Sequence, residues 1–323
     1  MTASSKVLVL VGALPPPIGG VSIFVERTLR LWRDQQNLEV VHVQPRHLLR
    51  LISQCIGSRK AEFHVNTLHW LMLLILFLTG TLPRTTIYDH NHSRRLQRSS
   101  LKARLTYWLL GKANQIRIAN PALAEGYLRH GIAGNRISVF LPFVPPVEAD
   151  EAALLSRLPG EVQRLLERPS GMRLVINSAW KLVRGTDDAD LYGFSSTIAL
   201  ARKLADVRDD IHFLFFLGTP PSDEFSCSLV RQIQGLNNAT LVMGNHVMWP
   251  ALKHADLFLR TTSTDGDSVA LREALYFGVP VVASDVTGRP VGVTLYEFAN
   301  PAALYSSVIR VLDRQPTHGS TQT

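Results

Sequence analysis

Small and acidic residues precede an amphipathic helix pattern in the segment Thr264–Asp285, TDGDSVALREALYFGVPVVASD. A strand pattern, DLFLRTT, runs into this segment, so Asp265, Gly266, Asp267 and Ser268 are predicted to lie at a helix start. The unpaired N–H groups and the positive dipole end of a helix start form a site for anions, and a diphosphate suits such a site.

Glu273 follows about six residues into this helix, or about 9 Å along its axis at 1.5 Å per residue. That length is similar to the reach from a diphosphate to the ribose of its nucleoside, whose two hydroxyls can both donate to one carboxylate. Asp265 lies before the helix and would face a sugar on the other side of the phosphates. The segment therefore predicts contacts with three parts of a nucleotide-sugar.

The rest of the chain alternates between apolar strand patterns and amphipathic helix patterns, as doubly wound parallel sheets do. A length of 323 residues suits two domains. We predict an α/β protein of two Rossmann-like domains, residues 1–145 and 146–323, which face each other across a cleft. Proline-rich edges predict a linker at 146–171, and the tail 316–323 is predicted to be disordered.

One apolar stretch, NTLHWLMLLILFLTG, is too short for the ~20 residues of a membrane span. We interpret it as a buried helix, with Asn66 as its N-cap and Gly80 past its end, in preference to a segment that dips into a membrane. No secretory signal is recognisable, and Cys55 and Cys227 match no metal or redox spacing, which favours a reducing compartment.

Positive charge is concentrated in the window Arg84–Arg117, which holds eight basic residues and one acid, Asp89, in a chain of net charge +8. The window includes Arg94, Arg95 and Arg98. Such a patch predicts an anionic partner, and the alternative is a solvated helix face. We expect a membrane surface rather than nucleic acid, because charge is the only feature that points to nucleic acid.

Three stretches resemble retaining glycosyltransferases of the GT-B fold in the large family four, the group 1 glycosyl transferases of bacterial polysaccharide and lipopolysaccharide synthesis. Asp265 and Glu273, with ADLFLRTTSTDG before and ALYFGVPVVASDV after, resemble the family's Glu-x7-Glu signature. PPPIGGVSIFVERTL is similar to its N-terminal glycine loop, and ANPALAEGYLRHGIAGNRISVFLPFVPP to the stretch before its interdomain linker.

The resemblance implies a role for each matching residue. Glu273 would bind the ribose, and Asp265, which replaces the usual first Glu, would contact the sugar hydroxyls. The backbone of Gly266, Asp267 and Ser268 would bind phosphates and sugar. The other implied site residues are Gly19 and Gly20, which would close over the diphosphate, His92 or else His90 near the transferred sugar, and Lys181 with Arg184 at the leaving phosphate.

The chain departs from the family where a Lys-Gly pair is expected, because Tyr192 precedes Gly193. Two Asp-x-Asp triplets, at 265–267 and 188–190, are weak metal signals, and we expect neither a metal nor a cofactor. The sequence supports no hydrolase triad. The alternative function is a catalytically silent GT-B protein that binds a nucleotide-sugar or glycan as a partner subunit.

The sequence and the resemblance together predict a retaining glycosyltransferase, a hexosyltransferase that uses a nucleoside-diphosphate sugar as donor. Its expected acceptor is a glycan or a lipid-linked molecule of cell-surface polysaccharide synthesis. We expect it to be cytoplasmic and peripheral at the inner face of the cytoplasmic membrane.

Overall fold

A computed structural model describes residues 6–16, 18–96, 100–169, 171–185 and 189–314, without the side chains of Arg94 and Arg95. Arg98, Asp188 and the tail 316–323 lie outside the described residues. The chain forms two compact units, the first made of Met1–Pro16 and Gly20–Val144 and the second of the remainder. The main division therefore falls between Val144 and Pro145.

The first unit is a six-stranded parallel sheet in the order β2-β1-β3-β4-β5-β6. Its elements are, in chain order, β1 (Lys6–Val11), α1 (Gly20–Arg33), β2 (Leu38–Val43), α2 (Leu48–Gly57), β3 (Glu62–Val65), α3 (Trp70–Leu78), β4 (Thr85–Asp89), α4 (Leu101–Leu110), β5 (Gln115–Ile118), α5 (Ala124–Arg129) and β6 (Ile137–Val139). The order reverses between β1 and β3. Because crossovers between parallel strands are right-handed, α1 covers one face of the sheet and α2 to α5 cover the other.

The apolar helix α3 begins at Trp70 with His69 as its N-cap, so the prediction of Asn66 as the cap is wrong. Asn66 instead continues β3, because its N–H donates to the Val11 carbonyl at 2.8 Å. Gly80 follows the helix as predicted and takes a left-handed conformation, with φ of 65°. No described helix has the length and hydropathy of a membrane span.

The second unit is also a six-stranded parallel sheet, in the order β12-β11-β10-β7-β8-β9. Its elements are α6 (Glu151–Leu155), α7 (Gly160–Leu166), β7 (Arg173–Ala179), α8 (Phe194–Ala205), β8 (Ile211–Leu217), α9 (Glu224–Gln234), β9 (Ala239–Met243), α10 (Trp249–Leu252), β10 (Leu257–Arg260), α11 (Val269–Tyr276), β11 (Val281–Ser284), β12 (Val293–Tyr296) and α12 (Pro301–Leu312). The order reverses between β7 and β10, where ligands bind in doubly wound sheets.

Residues 146–171, predicted as a linker, contain α6 and α7 and belong to the second unit. Val162 of α7 is fully buried and Leu158 is nearly so, both in the core that covers one face of the second sheet. Lys253 after α10 also pairs with Glu151 at 2.6 Å. The prolines at the edges of this segment therefore mark turns within the unit rather than a free connection.

Gly193 joins the first turn of α8 to the end of β10. It has φ of 67°, and a Cβ on this residue would overlap the carbonyl oxygen of Thr261. The Thr261 hydroxyl donates to the Gly193 carbonyl at 2.9 Å. The close approach of the two backbones therefore requires glycine here.

Replacing Gly193 with Ala should lower the free energy of unfolding by about 4 kcal/mol or more, since strain and overlap act together. Gly278→Ala is the matched control, because Gly278 has a similar φ of 71° with open space around its Cα. That control should lose only about 1–2 kcal/mol, the cost of the left-handed conformation. Urea denaturation of both variants measures the difference, and equal losses would contradict the contact.

Candidate active site

Three loops of the second unit meet at the carboxyl edge of its sheet, after β7, β10 and β11. They share hydrogen bonds: the Ser263 N–H donates to the Leu191 carbonyl at 3.1 Å, and the Ser284 hydroxyl donates to the Thr262 carbonyl at 2.7 Å. Because β7 and β10 are neighbours at the point where the strand order reverses, these loops surround the expected ligand position.

The Asp265 carboxylate is held between two arginines. Its Oδ2 accepts from Nε of Arg260 at 2.8 Å and from Nη1 of Arg289 at 2.7 Å, and its Oδ1 accepts from Nη2 of Arg260 at 3.0 Å and from the Gly266 N–H at 3.0 Å. The Arg289 side chain is 2% exposed, and Asp265 is also buried. Both carboxylate oxygens are therefore already engaged within the unit.

Burial by itself would raise the pKa of Asp265, but Arg260 and then Arg289 lower that pKa to about 2. The carboxylate is therefore ionised at neutral pH. With two guanidinium groups and one carboxylate, this cluster leaves one positive charge at the edge of the sheet. Contact of Asp265 with sugar hydroxyls stays a prediction, and the bonds found here fit a carboxylate that positions its loop.

Helix α11 begins beside this cluster. Ser268 is its N-cap, with a side chain that accepts from the Leu271 N–H at 3.4 Å. Asp267 forms a two-bond ion pair with Arg272, at 2.8 and 2.6 Å. These pairs fix the first turn, whose outward N–H groups are the predicted contacts for phosphates.

Glu273 lies in the second turn of α11 and is 6% exposed. Acidic side chains this buried are almost always paired, and Glu273 does interact with another group of the chain. The ribose contact of Glu273 stays a prediction.

The loop after β7 carries the predicted phosphate residues. Lys181 is partly exposed and Arg184 is exposed, and their charges both act on Asp223, the N-cap of α9. Tyr192, which stands where the family has Lys, lies against Arg260, whose guanidinium carbon is 5.4 Å from its ring centre.

In the first unit, a buried carboxylate also holds the loop after a strand. Asp89, the last residue of β4, accepts from the N–H groups of His92 at 2.7 Å and Ser93 at 3.3 Å. Its other oxygen accepts from the Tyr127 hydroxyl at 2.8 Å. Burial and the adjacent carboxylate raise the pKa of Tyr127 well above its usual range.

This loop brings the two predicted histidines together, with ring centres 6.5 Å apart. His90 bonds through Nε2 to Oδ1 of Asn66 at 2.8 Å, and its ring packs against Phe24 and Phe140. Burial, and then the nearby His92, lower the pKa of His90 to about 3. His90 is therefore neutral at physiological pH and has a packing role.

Gly20 is the first residue of α1, directly after Gly19. Closure of these glycines over a diphosphate stays a prediction. Within the described ranges, no group of three or more His, Cys, Asp or Glu side chains is arranged to hold a metal ion. The absence of a metal and a cofactor from the reaction stays a prediction as well.

Residues 164–314 match the model of the family described as Glycosyl transferases group 1. All of the matched residues lie in the second unit. Comparison with curated protein sequences gives no significant match.

Solved structures similar to the whole chain include HepE from Anabaena with UDP-glucose, at 16% identity and a TM-score of 0.66 over 96% of this chain and 91% of that one. Another is the E. coli trehalose-6-phosphate protein bound with UDP-2-fluoro glucose, at 11% identity and a TM-score of 0.63 over 96% of this chain and 92% of that one. A third is the UDP-forming α,α-trehalose-phosphate synthase from Burkholderia vietnamiensis, at 13% identity and a TM-score of 0.64 over 97% of this chain and 90% of that one.

At these identities the likeness establishes the fold. The predicted α/β fold of GT-B type is therefore confirmed, and so is the resemblance to group 1 glycosyl transferases. The family match over residues 164–314 supports a glycosyltransferase as the class of this protein.

Sequence reasoning missed the two arginines that hold Asp265. One signal was available, since Arg260 ends an otherwise apolar strand, and a cation at the end of a buried strand requires an anionic partner. Arg289 lies 24 residues after Asp265, and no periodicity connects the two.

Replacing Asp265 with Asn should lower the free energy of unfolding at pH 7 by about 3–5 kcal/mol, because both guanidinium groups lose their counter-charge in a buried site. A lowered folded-state pKa stabilises the protein above the unfolded pKa of about 4, and this stabilisation is lost as the pH falls towards about 2. The difference between parent and variant should therefore shrink from pH 4 to pH 2.

Chemical denaturation at a series of pH values measures this difference. Asp209→Asn is the control, because Asp209 is exposed in the same unit. A variant as stable as the parent at pH 7, or a difference independent of pH, would contradict the ion cluster.

Proposed function

We propose that this protein is a retaining glycosyltransferase, which moves a sugar from a nucleoside-diphosphate sugar to a glycan or a lipid-linked acceptor of cell-surface polysaccharide synthesis. The observation that carries the proposal is the segment from Asp265 to Glu273, which begins a helix where the strand order reverses in the unit that matches the group 1 glycosyl transferases. We infer a hexose as the transferred sugar and the cytoplasmic side of the membrane as the place of reaction.

The donor diphosphate is assigned to the start of α11. The helix dipole and the surplus charge of Arg260, Asp265 and Arg289 both favour an anion there. Lys181, in the neighbouring loop after β7, adds a partly exposed cation. Solved GT-B proteins contain UDP or UDP-sugars, as in the HepE complex with UDP-glucose, so UDP-glucose is the first donor to test.

We assign the ribose to Glu273 and the transferred sugar to the neighbourhood of His92. His92 is preferred to His90, because the ring of His90 is enclosed by Phe24 and Phe140. Asp265 then acts through the loop that it positions rather than by contact with the sugar.

The proposed stereochemical course is retention through attack on the same face as the leaving group. The bond between the anomeric carbon and the diphosphate breaks, the acceptor oxygen bonds to that carbon, and the departing diphosphate takes the acceptor's proton. Lys181 and the start of α11 stabilise the charge that develops on the diphosphate, which is a preorganised electrostatic effect.

A second candidate is a catalytically silent GT-B protein that binds a nucleotide-sugar as a partner subunit. Two observations favour it: the Asp265 carboxylate is fully engaged by arginines, and Tyr192 stands where the family has Lys. Both candidates bind the donor, and only the enzyme forms a glycosidic bond, so product analysis separates them.

Glu273→Gln should weaken UDP binding by about 5- to 150-fold, the range for loss of a charged hydrogen-bond partner of 1–3 kcal/mol. Glu161→Gln, an exposed change on α7, is the matched control. Isothermal titration calorimetry gives the affinities, and a melting curve checks the fold. Unchanged affinity would refute the ribose assignment.

Lys181→Ala should lower turnover by about 100-fold or more, as for the loss of one donor to a developing negative charge, whereas Lys203→Ala on α8 should not. Proton NMR of the product should show the anomeric configuration of the donor. An inverted product would contradict the mechanism, and binding without any product would support the silent candidate.

A further inference from the structure

Three neighbouring helices of the first unit, α2, α3 and α4, present apolar side chains to solvent. They cover the same face of the sheet, and α3 contacts α4 through Phe77 and Trp108, whose ring centres are 5.0 Å apart. We call their outer surface the α2–α4 face. Its most exposed apolar residues are Leu49, Ile56, Phe77, Leu78, Leu101 and Trp108.

Helix α3 is apolar on its outer side as well as on the side that faces the core. Its inner side chains, Met72, Leu73 and Leu76, fill the core, yet its outer side is equally apolar and Leu78 is 73% exposed. On α4, Leu101 is 82% exposed and Trp108 is 50% exposed. A helix that is apolar all round is normally covered on both sides, and an apolar patch that spans three helices marks an interaction surface.

The charges on this face have one sign. Helices α2, α3 and α4 contain no acidic residue and three basic ones, Arg50, Lys102 and Arg104, and the stretch 40–124 contains only two acids. One of those acids, Glu62, pairs with Lys6 at 2.8 Å, and the other, Asp89, is fully buried.

Cations and aromatic rings alternate on the same surface. Nζ of Lys102 lies 5.8 Å from the ring centre of Trp70, and Nζ of Lys112 lies 5.3 Å from that of Trp108. At a bilayer surface, tryptophan occupies the headgroup level, apolar side chains enter the acyl boundary, and lysine reaches anionic headgroups.

We propose that the α2–α4 face binds the surface of an anionic lipid bilayer. A second copy of the chain is a poorer occupant, because it would place a second set of cations against the first. The helices are too short to span a bilayer, so the protein would lie on the membrane with this face at the headgroup level.

The experiment is sedimentation of the full chain with vesicles of phosphatidylcholine containing about 30% phosphatidylglycerol, and with pure phosphatidylcholine. We expect binding to the anionic vesicles that falls at least about tenfold between about 0.05 M and 0.5 M salt. The double variant Phe77→Ser/Trp108→Ser and the double variant Lys102→Gln/Lys112→Gln should each bind at least about tenfold more weakly.

Matched controls come from the second unit. Val291→Ser/Leu295→Ser changes exposed apolar residues, and Arg157→Gln/Arg164→Gln changes exposed cations. Melting curves check the fold of all four double variants, and Leu78→Ser, at a side chain that is 73% exposed, repeats the apolar test with less loss of packing.

Equal binding by face variants and controls would overturn the proposal. So would a salt-insensitive parent, or a dimer in sedimentation velocity that only the Phe77/Trp108 variant disrupts, because a second copy would then occupy the face. The inference does not rest on the proposed reaction. Calorimetry with UDP tests donor binding separately, and the face variants should bind UDP like the parent.

Discussion

The ion cluster around Asp265 determines the geometry of the carboxyl edge of the second sheet. Arg260 is the last residue of β10, Asp265 lies in the loop that follows, and Arg289 comes from the loop after β11. Placing three charges in a buried site is unfavourable unless their hydrogen bonds are well made, and here the carboxylate accepts four. Once this cluster forms, the first turn of α11 has a fixed position. The buried charges must be paired for the protein to fold. The same pairing fixes the helix start of the proposed site next to positive charge, which is a preorganised arrangement.

In the first unit, a buried aspartate also holds the loop that follows a strand, with different hydrogen-bond partners. Asp89 ends β4 and holds the His90–Ser93 loop by backbone N–H groups, while the Tyr127 hydroxyl on α5 holds Asp89. A third aspartate, Asp256, lies just before β10 and accepts from Arg168 at 2.6 Å and from the Leu174 N–H at 2.7 Å. In each case one buried carboxylate fixes a chain segment at a sheet edge. Asp265 and Asp89 fix loops at the carboxyl ends of strands, where rigid loops suit the proposed diphosphate site, whereas Asp256 lies at the amino ends of β7 and β10.

The sequence predicts the alternation of strands and helices, the two parallel sheets and the helix start at Asp265–Ser268, because hydrophobic periodicity and helix-start signals are local. It fails where an interaction joins distant residues. Asn66 has the residue type of a helix cap, but its bonds to Val11 and His90 keep it at the end of β3. The core that buries Val162 is built from residues distant in sequence, which the local pattern does not show. The proline-rich edges therefore wrongly predict a linker at 146–171. No local pattern predicts that Arg289 will reach Asp265.

Charge is distributed very differently in the two units. The second unit pairs many of its arginines with acids inside the unit. Examples are Arg168 and Arg173 with Asp256, Arg208 with Asp210 and Asp313, and Arg272 with Asp267.

Helices α2 to α4 of the first unit contain no acidic residues that could form such ion pairs. In the stretch 40–124, the excess of basic over acidic residues is larger than the chain's net charge of +8. Counterions could screen these cations, but they would leave Leu78, Leu101 and Trp108 in water. Another apolar protein surface could cover those side chains, but it would leave the cations without partners. An anionic bilayer meets both requirements, because it places acyl chains and negative headgroups a few ångströms apart along one surface.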